Sequence, residues 1–303
     1  LIHRQTFIPH YPFIDTQSIF STWKGLEHIH RYLFPDARLE RKRLQFFCEE
    51  IQRLYKGGFS GFQAADTPYH SLEHTLQVVV CLARLLQGGI LRGHQLSAEA
   101  FERALVAAFF HDVGYFKQVD DVEGTGAKYT AHHEIRGGLM AGKYLAKRKW
   151  SIYRIVSVQK LIFSTASARA IQCLLFDSEQ EHFLAQALCT ADIVAQMSDP
   201  FYLRRLPQLQ LELAESQAFL AAGGAVVQDA HSMDELFKET LPFWQHVLDH
   251  KLTLDCGGVY TYLAIENGIN PYLIAIEKHM QAIRSWLKAQ QQGNPFDYYE
   301  PST

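Results

Sequence analysis

The sequence has no paired-cysteine framework. Its five cysteines, Cys48, Cys81, Cys173, Cys189 and Cys256, are odd in number and include no C-x-x-C pair, so neither a disulfide-stapled secreted domain nor a zinc ribbon is indicated. Several stand in apolar stretches and read as buried free thiols of a reducing, cytoplasmic compartment. A large charge of either sign is missing too: a formal net charge of −3 over 303 residues gives no electrostatic footprint for a nucleic-acid polymer or an anionic membrane. No stretch reads as the ~18 consecutive apolar residues of a membrane span, and no signal-peptide pattern opens the chain. Leu1 in first place is compatible with a piece of a longer protein. Gly223-Gly224 and Gly257-Gly258 lack the strand and helix context of a phosphate loop, and there is no Gly-x-Ser-x-Gly.

Alternating strand patterns and internal repeats are absent as well, and what remains is helical. Residues 72–87 carry Leu72, Leu76, Val79, Val80, Ala83 and Leu86 at helical spacing, with Thr67-Pro68 as entry and Gly88-Gly89 as stop. Ser97 is expected to cap a second helix ending near Gly114, and Thr130 a third running to Lys147. A fourth covers about 153–163. A strongly buried helix is expected over 181–197, followed by one that Asp199-Pro200 opens. Ser232-Met233-Asp234-Glu235 reads as a capping box, and Asn270-Pro271 starts the last helix. Residues 57–66 and 221–224 read as loops. The fold class expected is all-α, as one helical domain with a core at about 66–200 and flanking extensions 1–65 and 201–303. Residues 1–35 read as decoration around that core.

Chemistry concentrates in three places. In Tyr69-His70-Ser71-Leu72-Glu73-His74, histidines at i and i+4 would share a helix face and reach one point; taken alone, the pair fits a surface histidine beside a core one. In Ala107-Ala108-Phe109-Phe110-His111-Asp112, an apolar helix closes on a histidine and a carboxylate. Burying that carboxylate costs several kcal/mol unless it is paired or binds a metal, and an exposed Asp at a helix C-terminus opposes the macrodipole. In Leu188-Cys189-Thr190-Ala191-Asp192-Ile193-Val194, Asp192 stands alone in an apolar helix and must be paired or a ligand. Imidazoles and carboxylates brought together from three helices suit Mn, Mg, Fe or Zn.

The order His74, His111-Asp112, Asp192 on helices resembles the HD superfamily of metal-dependent phosphohydrolases. The segment Tyr69-His70-x-x-x-His74 is similar to the Y-H-N-x-x-H segment of the cyclic-nucleotide phosphodiesterases within it, with Ser71 where those have Asn. The resemblance covers roughly residues 66–200. It implies an HD-type helical bundle with added N- and C-terminal helices, and a first metal on His74, His111, Asp112 and Asp192, with Asp112 the carboxylate able to bridge to a second. It also implies His70 as the acid that protonates the leaving oxygen. The phosphodiesterases place another histidine three residues after His-Asp, where this chain has Tyr115. His133 matches the H-x-x-x-G of other HD branches, so it is expected either as a ligand to a second metal or as an exposed imidazole at a helix start; His132 is expected in solvent.

The activity so implied is metal-dependent hydrolysis of a small phosphate ester or phosphodiester, a nucleotide in the first instance, with catalytic roles for His70 and Asp112. One or two divalent ions are the expected cofactors. Lys117 and Arg136 are candidates for meeting phosphate charge or else solvated surface charges, and the acidic run Asp120-Asp121-x-Glu123 is expected at the surface. Two other classes stay open: an HD-type di-iron oxygenase, opposed by the lack of histidine between Val158 and Ala168, and a non-catalytic helical sensor or interaction module.

Overall fold

The computed structural model describes residues 11, 13–166, 171–222 and 233–292. Among them are ten α-helices and no strand: α1 Ile19–Leu33, α2 Arg38–Arg53, α3 Leu72–Leu91, α4 Ala98–Phe110, α5 His133–Lys147, α6 Ile152–Phe163, α7 Glu179–Met197, α8 Tyr202–Ala222, α9 Met233–His246 and α10 Pro271–Gln291. Shorter 3-10 and π-helical turns link them, and Phe62 and Gln118 form one isolated bridge.

Helix α3 is the axis of the core. It packs against α1, α4 and α7, and Val78, Val79, Cys81, Leu82, Leu85 and Leu86 are fully buried along it. Each buried aliphatic side chain contributes about 1.5–3 kcal/mol, which outweighs the weak helix propensity of three successive valines. By length and composition α3 could cross a membrane, contrary to the sequence reading, but 78% of that window is buried inside the protein. It is a core helix.

Local signals set the helix starts. The side chains of Ser71, Ser97, Ser151, Ser178 and Asn270 accept hydrogen bonds from backbone N–H groups in the first turns of α3, α4, α6, α7 and α10, each worth about 1 kcal/mol. Some expectations shift. α3 begins after Ser71, not at Thr67-Pro68, so His70 lies ahead of the helix. Gly88-Gly89 does not stop it: a Cβ on Gly88 would fall 2.0 Å from the Tyr262 carbonyl oxygen and one on Gly89 2.5 Å from the Phe183 ring, so the glycines admit close crossings. Thr130 caps nothing; it lies inside the 3-10 segment Gly126–His132, which Thr125 caps. Asp199 accepts from Phe201 N, one residue before α8 starts. Residues 57–66 open on a π-helical turn, Leu54–Gly58. α1 is no decoration, since Trp23, Leu26 and Ile29 belong to the core. Ser232 lies outside the described residues. Four cysteines are buried free thiols, and Cys173 is exposed.

Candidate metal centre

Two helix ends and one helix interior meet at the start of α3. His74 sits in the first turn of α3 and Asp192 inside α7, while His111 and Asp112 form the turn that ends α4. His74 Nε2 is 3.1 Å from Asp192 Oδ1 and 3.6 Å from Asp112 Oδ2. His111 Nε2 is 3.2 Å from Asp112 Oδ2 and 3.5 Å from Asp192 Oδ1. Donor atoms of His74, His111 and Asp112 all lie within 4.8 Å of one another.

The hydrogen bonds fix which atoms face inward. His111 Nδ1–H donates to the Ala108 carbonyl at 2.8 Å, which leaves Nε2 as the lone pair aimed at the cluster. That Nε2 and Asp112 Oδ2 are buried yet have no hydrogen-bond partner. Unmet polar atoms at this depth are rare, and here they point at one another across a common centre. These residues fit a divalent cation: two neutral imidazoles and two carboxylates converging on one point are the donor set it takes.

The electrostatics agree. Burial alone would raise the Asp112 carboxyl, but the facing His111, then His70 and His74, hold it well below the usual carboxylate range. Asp192 is held down in the same way by the facing imidazoles of His111 and His74. Burial would lower His111, yet Asp112 and Asp192 push it well above the ordinary imidazole value. This corner stabilises positive charge.

A second group of residues flanks the first. His133 opens α5; its Nδ1–H donates to the Thr130 carbonyl at 2.8 Å, and its Nε2 is 3.7 Å from Asp112 Oδ1. Two glycines permit this approach. A Cβ on Gly114 would fall 1.9 Å from the His133 carbonyl oxygen, and one on Gly137 3.0 Å from that of His111, so the glycine of H-x-x-x-G is where α5 docks on the His-Asp turn. Tyr115 is stacked between two imidazoles, its ring centroid 4.4 Å from those of His70 and His133. His132 is exposed.

His70 is held by a residue that sequence reasoning did not single out. Its Nδ1–H donates to Glu212 Oε2 at 2.5 Å, and Glu212 Oε1 accepts from Tyr69 N at 2.6 Å. Glu212 is 2% exposed, in the middle of α8. Its one sequence signal is a carboxylate between Leu211 and Leu213, with Leu209 a turn before. Burial would lower His70, but Glu212, Asp112 and Asp192 raise it above its ordinary value. Its Nε2 faces the Tyr115 hydroxyl at 3.5 Å.

His70, Asp112, Tyr115, His133 and Asp192 open on a cavity of about 750 Å³. Lys117 and Arg136 do not line it. Lys117 is 7% exposed and bound to Asp66 at 3.0 Å and the Gly124 carbonyl at 2.6 Å. Arg136 donates to the Gly114 and Phe116 carbonyls and lies over the Tyr129 ring. Both pin the loop after the His-Asp turn, so neither is free to meet phosphate. Asp120 is exposed, and Asp121 is tied to Lys128 and Tyr129.

A family model described as Npun_R2479-like matches residues 57–255. The chain belongs to that family. The Npun_R2479-like span contains every residue of the cluster, together with His70, His133 and Glu212, and leaves out α1 and α10. No curated protein matches the chain. Among solved structures, it is similar to the phosphodiesterase domain of the rhodopsin phosphodiesterase of Salpingoeca rosetta, with a TM-score of 0.64 at 14% identity over 93% of each chain. It is also similar to the phosphodiesterase domain of a RhoPDE fusion protein from the same choanoflagellate, with a TM-score of 0.61 at 14% identity over 91% of this chain and 92% of that one. This Npun_R2479-like chain thus shares the all-helical fold of those domains.

Proposed function

We propose that the protein is a metal-dependent phosphohydrolase of the HD superfamily, acting on a phosphate ester or phosphodiester of nucleotide type. The observation that carries this reading is the convergence of His74, His111, Asp112 and Asp192, with His111 Nε2 and Asp112 Oδ2 buried and unpartnered. These four residues would hold a divalent ion, Mn, Mg, Fe or Zn. Such an ion lowers the pKa of water towards neutrality and withdraws charge from a phosphoryl oxygen.

The chain's own groups supply the rest. Asp112 turns Oδ2 towards His111 and Oδ1 towards His133, so its carboxylate would serve ions held by either histidine. His70 is the general acid: Glu212 fixes its Nδ1–H, keeps it protonated and leaves Nε2 facing the cavity, where it delivers a proton to the leaving oxygen. Tyr115 holds that imidazole in plane by stacking. The second position offers Asp112 and His133, with Tyr115 where a further ligand would stand, which is too sparse for a di-iron oxygenase.

The test is turnover of cyclic mononucleotides, dinucleotides and nucleoside phosphates with Mn or Mg. Hydrolysis of at least one class, lost in Asp112→Ala, is the expected result. No turnover above that control by a chain with stoichiometric metal would leave a helical binding module as the better reading.

A further inference from the structure

Two histidines that the metal corner does not use stand on another wall of the cavity. That wall is the end of α9 and the π-helical segment Val247–Asp255 that continues it. His246 is the last residue of α9, His250 falls in the first π turn, and both line the cavity. In an α-helix, residues four apart overshoot a full turn and lie somewhat out of line. A π turn holds more residues than an α turn, so here the fourth residue returns nearly above the first. The two imidazoles are accordingly close, with ring centroids 4.6 Å apart and planes inclined at 42°.

That spacing is one that a shared ion requires. An imidazole nitrogen binds a transition metal at about 2.0–2.1 Å, which puts the ring centroid roughly 3 Å from the ion. Two rings at a right or tetrahedral angle about one ion then have centroids about 4–5 Å apart. His74 and His111, the imidazoles of the corner itself, have centroids 5.5 Å apart and planes inclined at 61°. The nitrogens of the new pair are open to a ligand. Both residues are exposed, and among the described residues neither has a hydrogen-bond or ion-pair partner. The charged groups beside them are already engaged: Lys251 Nζ lies 2.6 Å from Asp255 Oδ2, and Asp249 accepts from Gln245 Nε2 at 2.8 Å. Exposed histidines four apart on a helix are commonplace as solvated side chains; the close approach of these rings and their shared cavity wall set this pair apart.

We propose that His246 and His250 form a separate metal site, a two-nitrogen chelate for a borderline transition ion such as Ni, Cu or Zn. Two imidazoles without a carboxylate select that class over Mg, which takes oxygen ligands. Histidines four apart on one helix face are a recurrent zinc-binding arrangement. An ion held here keeps its other positions open to water and to the cavity. The site is independent of the hydrolase reading, since binding at it needs neither turnover nor the corner.

The experiment counts Ni binding by calorimetry on the untagged full chain, for the wild type, His246→Ala, His250→Ala and His111→Ala/Asp112→Ala. The wild type is expected to bind one equivalent that each single variant weakens by at least about tenfold, because a chelate fails when either arm is lost. Both replaced side chains are exposed, so the melting temperatures should match that of the wild type. The corner variant should keep this equivalent, and Mg titrations should not separate the wild type from either single variant. Equal Ni stoichiometry and affinity in the wild type and both single variants, or loss of this equivalent from the corner variant, would overturn the site. A chain that hydrolyses nothing and holds no Mn at the corner would sink the hydrolase reading, yet it should still bind Ni at His246 and His250.

Discussion

Two carboxylates lie at nearly the same depth in this molecule, Glu102 fully buried and Asp112 2% exposed, yet their surroundings differ in kind. Glu102, on α4, receives Arg43 through two bonds of 2.5 and 2.6 Å and Arg154 through a third of 2.8 Å. Its charge is matched and its oxygens are occupied. Asp112, two residues past the end of the same helix, faces imidazoles and keeps one oxygen without a hydrogen-bond partner. Depth alone therefore does not mark a functional acid. The Glu102 network ties α2, α4 and α6 together, whereas the Asp112 cluster leaves imidazole and carboxylate donors converging on a point that could hold a cation.

The comparison makes its largest prediction at Asp112. Asp112→Asn should lower kcat/KM by about a thousandfold, several kcal/mol of lost charge stabilisation, with the metal-free melting temperature changed little. A variant that melts far below the metal-free wild type would mean that Asp112 is structural, as Glu102 is. Glu102→Ala should behave in the opposite way, losing about 1–3 kcal/mol in denaturant unfolding because the charge-assisted hydrogen bonds from the half-buried Arg43 and Arg154 are removed. Its folded fraction should still bind metal at the wild-type ratio, and loss of metal from folded Glu102→Ala would erase the distinction.

Glu212 should give the next effect, on the pH profile. A raised His70 pKa keeps the acid protonated to higher pH, so activity persists to the alkaline side and is lost as pH rises through that value. Glu212→Gln removes a group that raises it; the alkaline limb of kcat should move to lower pH, and kcat should fall by about a hundredfold. An unmoved limb would take Glu212 out of the proton path. The smallest effect is expected at Lys117. Lys117→Met should cost about 1–3 kcal/mol of stability through the stranded Gly124 carbonyl and Asp66 while KM stays within about twofold, and a large rise in KM would return Lys117 to the substrate.

Much of the fold was legible because its signals are local. Ser97 and Asn270-Pro271 ahead of apolar stripes mark where α4 and α10 begin, whereas the caps Ser71, Ser151 and Ser178 emerged with the structure. The cluster was legible for a related reason: His111-Asp112 and Asp192 break apolar runs, and a carboxylate in such a run must be compensated. What escaped depends on contacts distant in sequence. Glu212 meets His70 across 142 positions, and nothing near either residue marks the pairing. The i, i+4 argument placed His70 and His74 on one helix face, but Ser71 caps α3 between them, so His70 reaches the cavity from the segment before the helix. Gly88-Gly89 looked like punctuation because two glycines end helices more often than they admit a crossing chain. Lys117 and Arg136 looked available because sequence shows a charge without the carbonyls that occupy it.

The measurement that tests the central claim most directly is metal content per chain after a Mn soak and desalting, by elemental analysis, for the wild type and for His111→Ala/Asp112→Ala. One or two ions per wild-type chain, absent from a folded variant, is the predicted result. Equal metal in both, or none in either, would contradict the account.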